Sequence, residues 1–358
     1  MKPITSSPEA CDAPRARRLR VAFFTQGACV PAARFRVEQI VPALSEHVEC
    51  RVLHPTPTVY GDHARLGRAW RRFAKPFSVI ARLGHLESAH DADVAWLQRP
   101  MTEYYTSALE RFVAARKPTV FDFDDAIFHN RWGLEARKIR RIIDAVRCVV
   151  AGNSYLAEFT GAPGKTVIIP TVVDEKRYTP RVEADGPFTI VWTGMSHNLQ
   201  ELAPYAGVLR RVLAETNGRL VIAAEALDAP FLSGLPLKFV RWSPETEVTV
   251  LGAGHVGVMP LADTPYNRGK CAFKLIQYMA RAIPVVASPV GANREVVRDG
   301  VEGMFARSPG EWAERLLALA RDRELRHRMG NAGRRRVEES YSVSAVVPRY
   351  LDVLRAIS

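Results

Sequence analysis

Short, continuously apolar runs alternate along this chain with longer stretches in which apolar residues recur every three or four positions. In the first half the runs are Leu19–Thr25, Val48–His54, Ala92–Gln98, Pro118–Phe123, Cys148–Ala151 and Val167–Thr171. Between them the longer spacing predicts helices over Ala32–Ser45, Thr102–Arg116 and Leu134–Val146. The runs are apolar at successive rather than alternate positions, the mark of strands covered on both faces. Strands and helices in succession predict a parallel sheet.

The pattern breaks at YTPRVEADGPF, Tyr178 to Phe188, which is polar and carries two prolines and a glycine. It reads as a linker over 179–187. The alternation then restarts, with strands predicted at Phe188–Gly194, Leu220–Ala224, Leu237–Val240, Val256–Leu261 and Val285–Ala287. Helices are predicted over Leu199–Thr216, Ala272–Arg281, Ala292–Arg298, Pro309–Arg321, Glu324–Glu339 and Val343–Ile357. The expected fold is α/β: two Rossmann-like, doubly wound parallel-sheet domains, 19–178 and 188–340, facing across a cleft, behind a basic flexible tail at 1–18. The length of 358 residues agrees, because single cores stop growing near ~250–300 residues. Open parallel sheets bind ligands beyond the carboxyl ends of their strands, so a cleft shared by two such sheets is where a substrate is expected.

Composition adds charge to this picture. A formal net charge of +12 suits anionic partners, whether phosphates, an acidic membrane surface or nucleic acid. The basic residues do not interleave with aromatics on a strand or form a recognition-helix pattern, so nucleic acid is not expected as a partner. Cysteines at 11, 29, 50, 148 and 271 form no metal-ligand spacing and suggest free thiols in a reducing compartment. No apolar run approaches the ~18 residues that span a bilayer. A cytoplasmic protein is expected, peripheral at most to the membrane.

Candidate chemistry concentrates in GKCAFKLIQYMARAIPVVASPVG, Gly269 to Gly291. Lys270 and Lys274 sit where a loop enters an apolar helix. Helix starts expose unpaired N–H groups and a partial positive charge, which attract phosphate. Cys271, Ala272, Phe273 and Lys274 would present those amides, and the small side chains at 271 and 272 permit close approach. The plainer alternative is a surface helix that carries two lysines.

The same stretch, continued as KLIQYMARAIPVVASPVGANREVVRDGVEGMFA, resembles the signature of the retaining family-4 (group 1) glycosyltransferases of GT-B fold. IIPTVVDEKRYTP, TIVWTGMSHN and the C-terminal PGEWAERLLALARDRELRHRMGNAGRRRVEESYS resemble other segments of that family in order and spacing. ARFRVEQIVPAL, LQRP, FDFDDAIF and AGNSYLAEF are similar to a bacterial polysaccharide-type subgroup. The resemblance implies donor binding by the second domain, acceptor binding by the first, and a last helix, 341–358, that crosses back to the first domain. It implies transfer of a sugar from a nucleotide-sugar to a saccharide or lipid-linked acceptor in bacterial glycan biosynthesis, with retention. No cofactor and no metal is implied; the nucleotide-sugar is a co-substrate.

The family pattern also carries Glu-x7-Glu across this loop and helix. Here those positions hold Gly269 and Gln277. Gln277 can still hydrogen-bond a ribose hydroxyl. Lys270 and Lys274 are expected to neutralise the diphosphate, with Lys274 acting in catalysis. A GT-B-shaped binding or scaffold protein without turnover is the alternative that the missing glutamates raise.

Further candidates lie beyond the other strands. Gly27 permits a tight turn, and Arg34 and Arg36, straddling Phe35, are placed over the donor diphosphate from across the cleft. In FDFDDAIFHNRW, Asp124 and Asp125 are assigned to catalysis, accepting a hydroxyl proton or hydrogen bond. Asp124, His129 and Trp132 are assigned to the acceptor. Asp-x-Asp also admits a metal reading, or a helix or turn cap. Gly194, Ser196 and His197 are assigned to the donor, although Ser196, His197 or Asn198 could instead cap a helix. Glu295 is favourable at a helix start by dipole alone and is also assigned to the donor site. Asn153 is expected to cap a helix.

Overall fold

The computed structural model describes residues 17–28, 30–56, 67–129, 133–183 and 185–358, the side chains of 67–72 excepted. Cys11, Cys29, Trp132 and most of the expected basic tail lie outside these residues. The first sheet contains β1 (Arg20–Phe24), β2 (Glu49–Leu53), β3 (Val94–Gln98), β4 (Thr119–Phe123), β5 (Cys148–Ala151) and β6 (Thr166–Ile168). Its order is β2-β1-β3-β4-β5-β6, parallel throughout. The second contains β7 (Thr189–Thr193), β8 (Arg219–Ala224), β9 (Leu237–Arg241), β10 (Val256–Met259), β11 (Val285–Ala287) and β12 (Gly303–Phe305). It runs β12-β11-β10-β7-β8-β9, again parallel. In each sheet a strand-order reversal, at β1/β3 and at β7/β10, opens a crevice at the strands' carboxyl ends.

The continuous apolar runs have their physical cause in this architecture. β3, β4 and β7 are buried at every position, so neither face can be polar. Six helices matter most to the site: α1 (Gly67–Ser88), α2 (Leu134–Ala145), α3 (Ser154–Thr160), α4 (Pro244–Leu251), α5 (Phe273–Ala280) and α6 (Val343–Ile357). The last, α6, packs on the first sheet: Tyr350 stacks on Trp96 with ring centroids 4.8 Å apart. The Tyr350 hydroxyl donates to the Arg36 carbonyl at 3.0 Å. The connector is tied to the second domain, where Glu183 accepts from Arg326 at 2.7 Å.

Three expected helices differ in the structure. Ala32–Ser45 is divided into Pro31–Ala33, a π turn over Arg34–Glu38 and Val41–Leu44. The wide turn is closed by the Gln39 amide on the Arg34 carbonyl at 3.1 Å. The helix expected from Thr102 starts only at Ala108. Before it, the carbonyls of Thr102 and Tyr104 accept from Lys138 of α2 at 2.6 and 2.7 Å, holding the chain in an irregular loop. Leu199–Thr216 is a 3₁₀ helix over Ser196–Tyr205 and α-helical only from Ala206. Pro204 lies inside the 3₁₀ piece and has no amide to donate. Helices α1 and α4, the short helix Pro265–Arg268 and strand β12 are among the elements that the spacing of apolar residues did not predict.

Candidate functional site

The lysine-bearing loop leaves β10 at Met259 and reaches α5 through a tightly bonded turn. The Thr264 hydroxyl caps the short helix Pro265–Arg268 by accepting the Asn267 amide at 3.2 Å. Glu201 ties this loop to the 3₁₀ helix: its carboxylate accepts from Asn267 Nδ2 at 3.0 Å and from the Ala262 amide at 3.2 Å. Lys270 Nζ lies 3.6 Å from the same carboxylate and donates to Asn198 Oδ1 at 3.3 Å. Ala272 then adopts a left-handed conformation (φ 53°), and α5 begins. The first amides of α5 have no acceptor within the helix, as at any helix start.

Lys274 is the most constrained cation of this loop. Its ammonium stands 4.1 Å from the centroid of the Trp192 ring. Its chain lies against Gly194, where a Cβ would fall 2.5 Å from Cε and 2.7 Å from Nζ. Gly194 therefore serves by lacking a side chain at the end of β7, and its φ of 153° is one that other residues rarely adopt. Burial, aggravated by the Lys270 charge and eased by Glu201, lowers the Lys274 pKa to about 7. An amine so placed favours an anion that would restore its charge.

The loop faces the first domain and packs on it. Cys271 Sγ donates to the Asp124 carbonyl at 2.8 Å. Asn153 accepts the Leu156 amide at 2.9 Å as the cap of α3, and also gives its Nδ2 to the Gly269 carbonyl at 3.1 Å. Phe273 meets Phe35 at 4.1 Å between centroids. Gly269 abuts the first domain so closely that a Cβ there would lie 2.4 Å from the Ala126 Cβ. A glutamate at 269 has no room in this arrangement.

The aspartates after β4 are arranged around a residue that sequence reasoning missed. Arg99, at the end of β3, donates through Nε and Nη2 to Asp124 Oδ1 at 2.9 and 2.7 Å, and through Nη2 to Asp125. Burial raises the Asp125 pKa to about 6, Arg99 working against that rise and Asp124 with it. The signal for Arg99 was the LQRP segment, which places an arginine directly beyond a buried strand.

Arg34 and Arg36 point to different places, as the π turn between them allows. Arg36 was expected over a diphosphate. Instead it is wholly buried in the first domain. It donates to Asp122 at 2.8 Å, Thr171 at 3.2 Å and the Ile169 carbonyl at 3.0 Å. With its donors committed inside the core it cannot reach the crevice. Asp122, also bonded to the Trp96 indole at 3.2 Å, is its counter-ion. Arg34 does cross the crevice, to the buried carboxylate of Glu247 in α4.

Gln277 turns toward Glu247 as well. Its Nε2 donates to Glu247 at 3.1 Å and to the Tyr178 hydroxyl at 2.9 Å. The family-like glutamate position is therefore occupied by an amide that leans on a carboxylate from another helix. Nothing in the local spacing of SPETEV singled out Glu247; only the packing of α4 beside α5 does.

The remaining candidates are more dispersed. Gly27 adopts φ 139° in the turn after β1, with its carbonyl accepting the Val30 amide at 3.1 Å. Ser196 gives its amide and hydroxyl to Glu225, each at 2.9 Å, and His197 is exposed. No side chain caps the 3₁₀ helix that starts there, so the capping expectation for 196–198 is not met. Glu295 accepts the Ser154 amide at 3.3 Å at the start of α3, bridging the domains. His129 is exposed and bonded to the Tyr155 hydroxyl at 3.0 Å.

Two doubly wound sheets, with a cationic helix start at the carboxyl ends of one facing the other, define the GT-B class of glycosyltransferase folds. Residues 187–322 match the family described as Glycosyl transferases group 1. The D-inositol 3-phosphate glycosyltransferase of Geodermatophilus obscurus is 27% identical over 214 residues. The match covers 52% of this chain and 46% of that protein, so the chain spans about half the length of this curated relative. Among solved structures, HepE of Anabaena in complex with UDP and glucose has a TM-score of 0.66 at 15% identity, covering 94% of this chain and 100% of the other. Sucrose-phosphate synthase of Thermosynechococcus elongatus gives 0.70 at 16% identity, covering 95% and 99%. At these identities the structures establish the fold.

Proposed function

We propose that this protein is a glycosyltransferase that moves a sugar from a nucleoside-diphosphate donor to a saccharide or lipid-linked acceptor in bacterial glycan biosynthesis. The observation that carries this reading is Lys274, held between Trp192 and Gly194 at the start of α5, with Lys270 beside it. A diphosphate leaving group needs cations and unpaired amides where its charge develops. Lys274, Lys270 and the first amides of α5 would meet that need without a metal ion. The bond from the anomeric carbon to the phosphate oxygen breaks, its electron pair staying on the phosphate. The acceptor oxygen attacks from the same face, giving retention, and its proton passes to that phosphate oxygen. Asp124 and Asp125, held by Arg99, would orient the acceptor.

Among the described residues no helix is long and apolar enough to cross a membrane. Our reading places the protein in the cytoplasm, peripheral to the membrane. The experiment is a titration of UDP and GDP against the protein and Lys274→Met by calorimetry. Loss of a charged contact worth ~1.5–3 kcal/mol would weaken binding about 10- to 100-fold. Equal affinity in the two proteins would overturn the assignment.

A second reading, a GT-B nucleotide-sugar-binding protein without turnover, is favoured by one observation: the two family glutamate positions hold a glycine packed on Ala126 and a glutamine bonded to Glu247. Release of nucleoside diphosphate from a bound donor in the presence of saccharide acceptors separates the readings.

A further inference from the structure

Helix α1 is built inside out. Its inward face carries Ala74, Ser78 and Arg82, all buried. Its outward face carries Phe73, Phe77, Ile80 and Leu83, which are 55%, 44%, 63% and 52% exposed. Pro76 and Gly84 share that exposed side. The positions 73, 77, 80 and 84 recur at helical spacing, so they form one stripe. Phe73 and Phe77 pack on each other at 4.9 Å between centroids. Tyr104 and Tyr105, 42% and 54% exposed, lie in the neighbouring loop, whose Glu103 is 3.3 Å from Lys75 of α1. A contiguous apolar face of this kind marks a contact surface.

Charge selects the partner. Across its 22 residues α1 has one acid, Glu87, and its first nine carry Arg68, Arg71, Arg72 and Lys75. A two-fold contact between copies would bring two such positive segments together, on a chain already at +12. Apolar residues on one face with an excess of Lys and Arg instead fit an interface of acyl chains and anionic headgroups.

We propose that α1, with Tyr104 and Tyr105, docks the protein on an anionic lipid bilayer. The position of α1 gives the docking a consequence for the substrate. Arg82 anchors the helix at the carboxyl ends of the first sheet: it donates to the Met101 carbonyl at 3.0 Å, to the Leu53 carbonyl at 3.2 Å and to the Thr25 carbonyl. Met101 is two residues beyond Arg99, which holds Asp124 and Asp125. Docking through α1 therefore brings the acceptor side of the crevice to the membrane, where a lipid-linked acceptor resides. This consequence rests on the glycosyltransferase reading; the docking itself does not.

The test is flotation of the full-length protein with vesicles of phosphatidylcholine, alone or mixed with phosphatidylglycerol, beside the double variant Phe77→Glu/Ile80→Glu. The wild type is expected to float with the mixed vesicles, less so at high salt. The variant should lose at least about tenfold in partition, by loss of two buried apolar side chains and gain of two charges. A thermal shift with UDP, equal in both proteins, shows that the variant is folded and its donor site intact. Flotation unaffected by the substitutions overturns the proposal. So does a wild type that ignores both vesicles, or a dimer in light scattering that the variant dissolves. Absence of any thermal shift with either UDP or GDP alongside α1-dependent flotation would overturn the donor-binding reading and leave the docking standing.

Discussion

Lys274 and Gly194 are complementary: the bare Cα of one makes the space in which the side chain of the other lies, over the face of Trp192. Gly194→Ala is expected to do two things. The φ of 153° costs ~1–3 kcal/mol for a residue with a Cβ, lowering the unfolding free energy measured in urea. The new methyl group also displaces the ammonium, so UDP affinity should fall about tenfold or more, as for loss of a charged contact. Unchanged UDP binding in a folded variant would show that Lys274 does not contact the donor from this position.

The depressed Lys274 amine makes donor binding pH-dependent. With a value near 7 in the free protein, the group is increasingly neutral above that pH, and a bound diphosphate must recruit its proton. Affinity should therefore hold below pH 7 and fall by up to about tenfold per unit above it, one unit being ~1.4 kcal/mol. The sign for stability is opposite: a lowered lysine contributes stability above its unfolded value that is lost as the pH falls toward about 7. Calorimetry in buffers of different ionisation enthalpy measures the uptake directly. Zero proton uptake at pH 8 would exclude the coupling.

Restoring the family-like acid at 269 should fail. In Gly269→Glu the first side-chain carbon meets Ala126, 2.4 Å away, with the Ala126 amide nitrogen 3.0 Å away, so the domains must part. Small-angle scattering should show a larger radius of gyration, and transfer activity should drop. Ala126→Gly in the same chain should bring back part of the compactness. A variant with normal dimensions would show that this contact is not what keeps position 269 small.

Arg36 and Asp122 form a buried pair, both with no exposed side-chain surface. Arg36→Met strands the carboxylate in the core and should cost ~3–5 kcal/mol in urea unfolding. Arg36→Met with Asp122→Asn removes both charges and should recover a large part of that loss, a coupling of ~0.5–3 kcal/mol. Additive losses would mean that the two residues act independently.

The chain's own pattern determined the two-sheet architecture. Strands such as Cys148–Ala151 and Val285–Ala287, buried on both faces, cannot be written any other way in a parallel sheet. It also determined the cationic helix start at Lys270–Lys274, because loop, lysines and apolar helix adjoin in sequence. α1 was illegible for the opposite reason: its apolar stripe faces outward and its inner face carries an arginine, inverting the pattern by which buried helices are recognised. Only the tertiary structure decided that Arg34 meets Glu247 and that Arg99 gathers Asp124 and Asp125. It alone placed Arg36 inside and Gly269 against Ala126. Partner choice among charged groups depends on which carboxyl-end loops the two sheets bring together. Residues as far apart as 34 and 247 leave no periodic trace of that encounter along the chain.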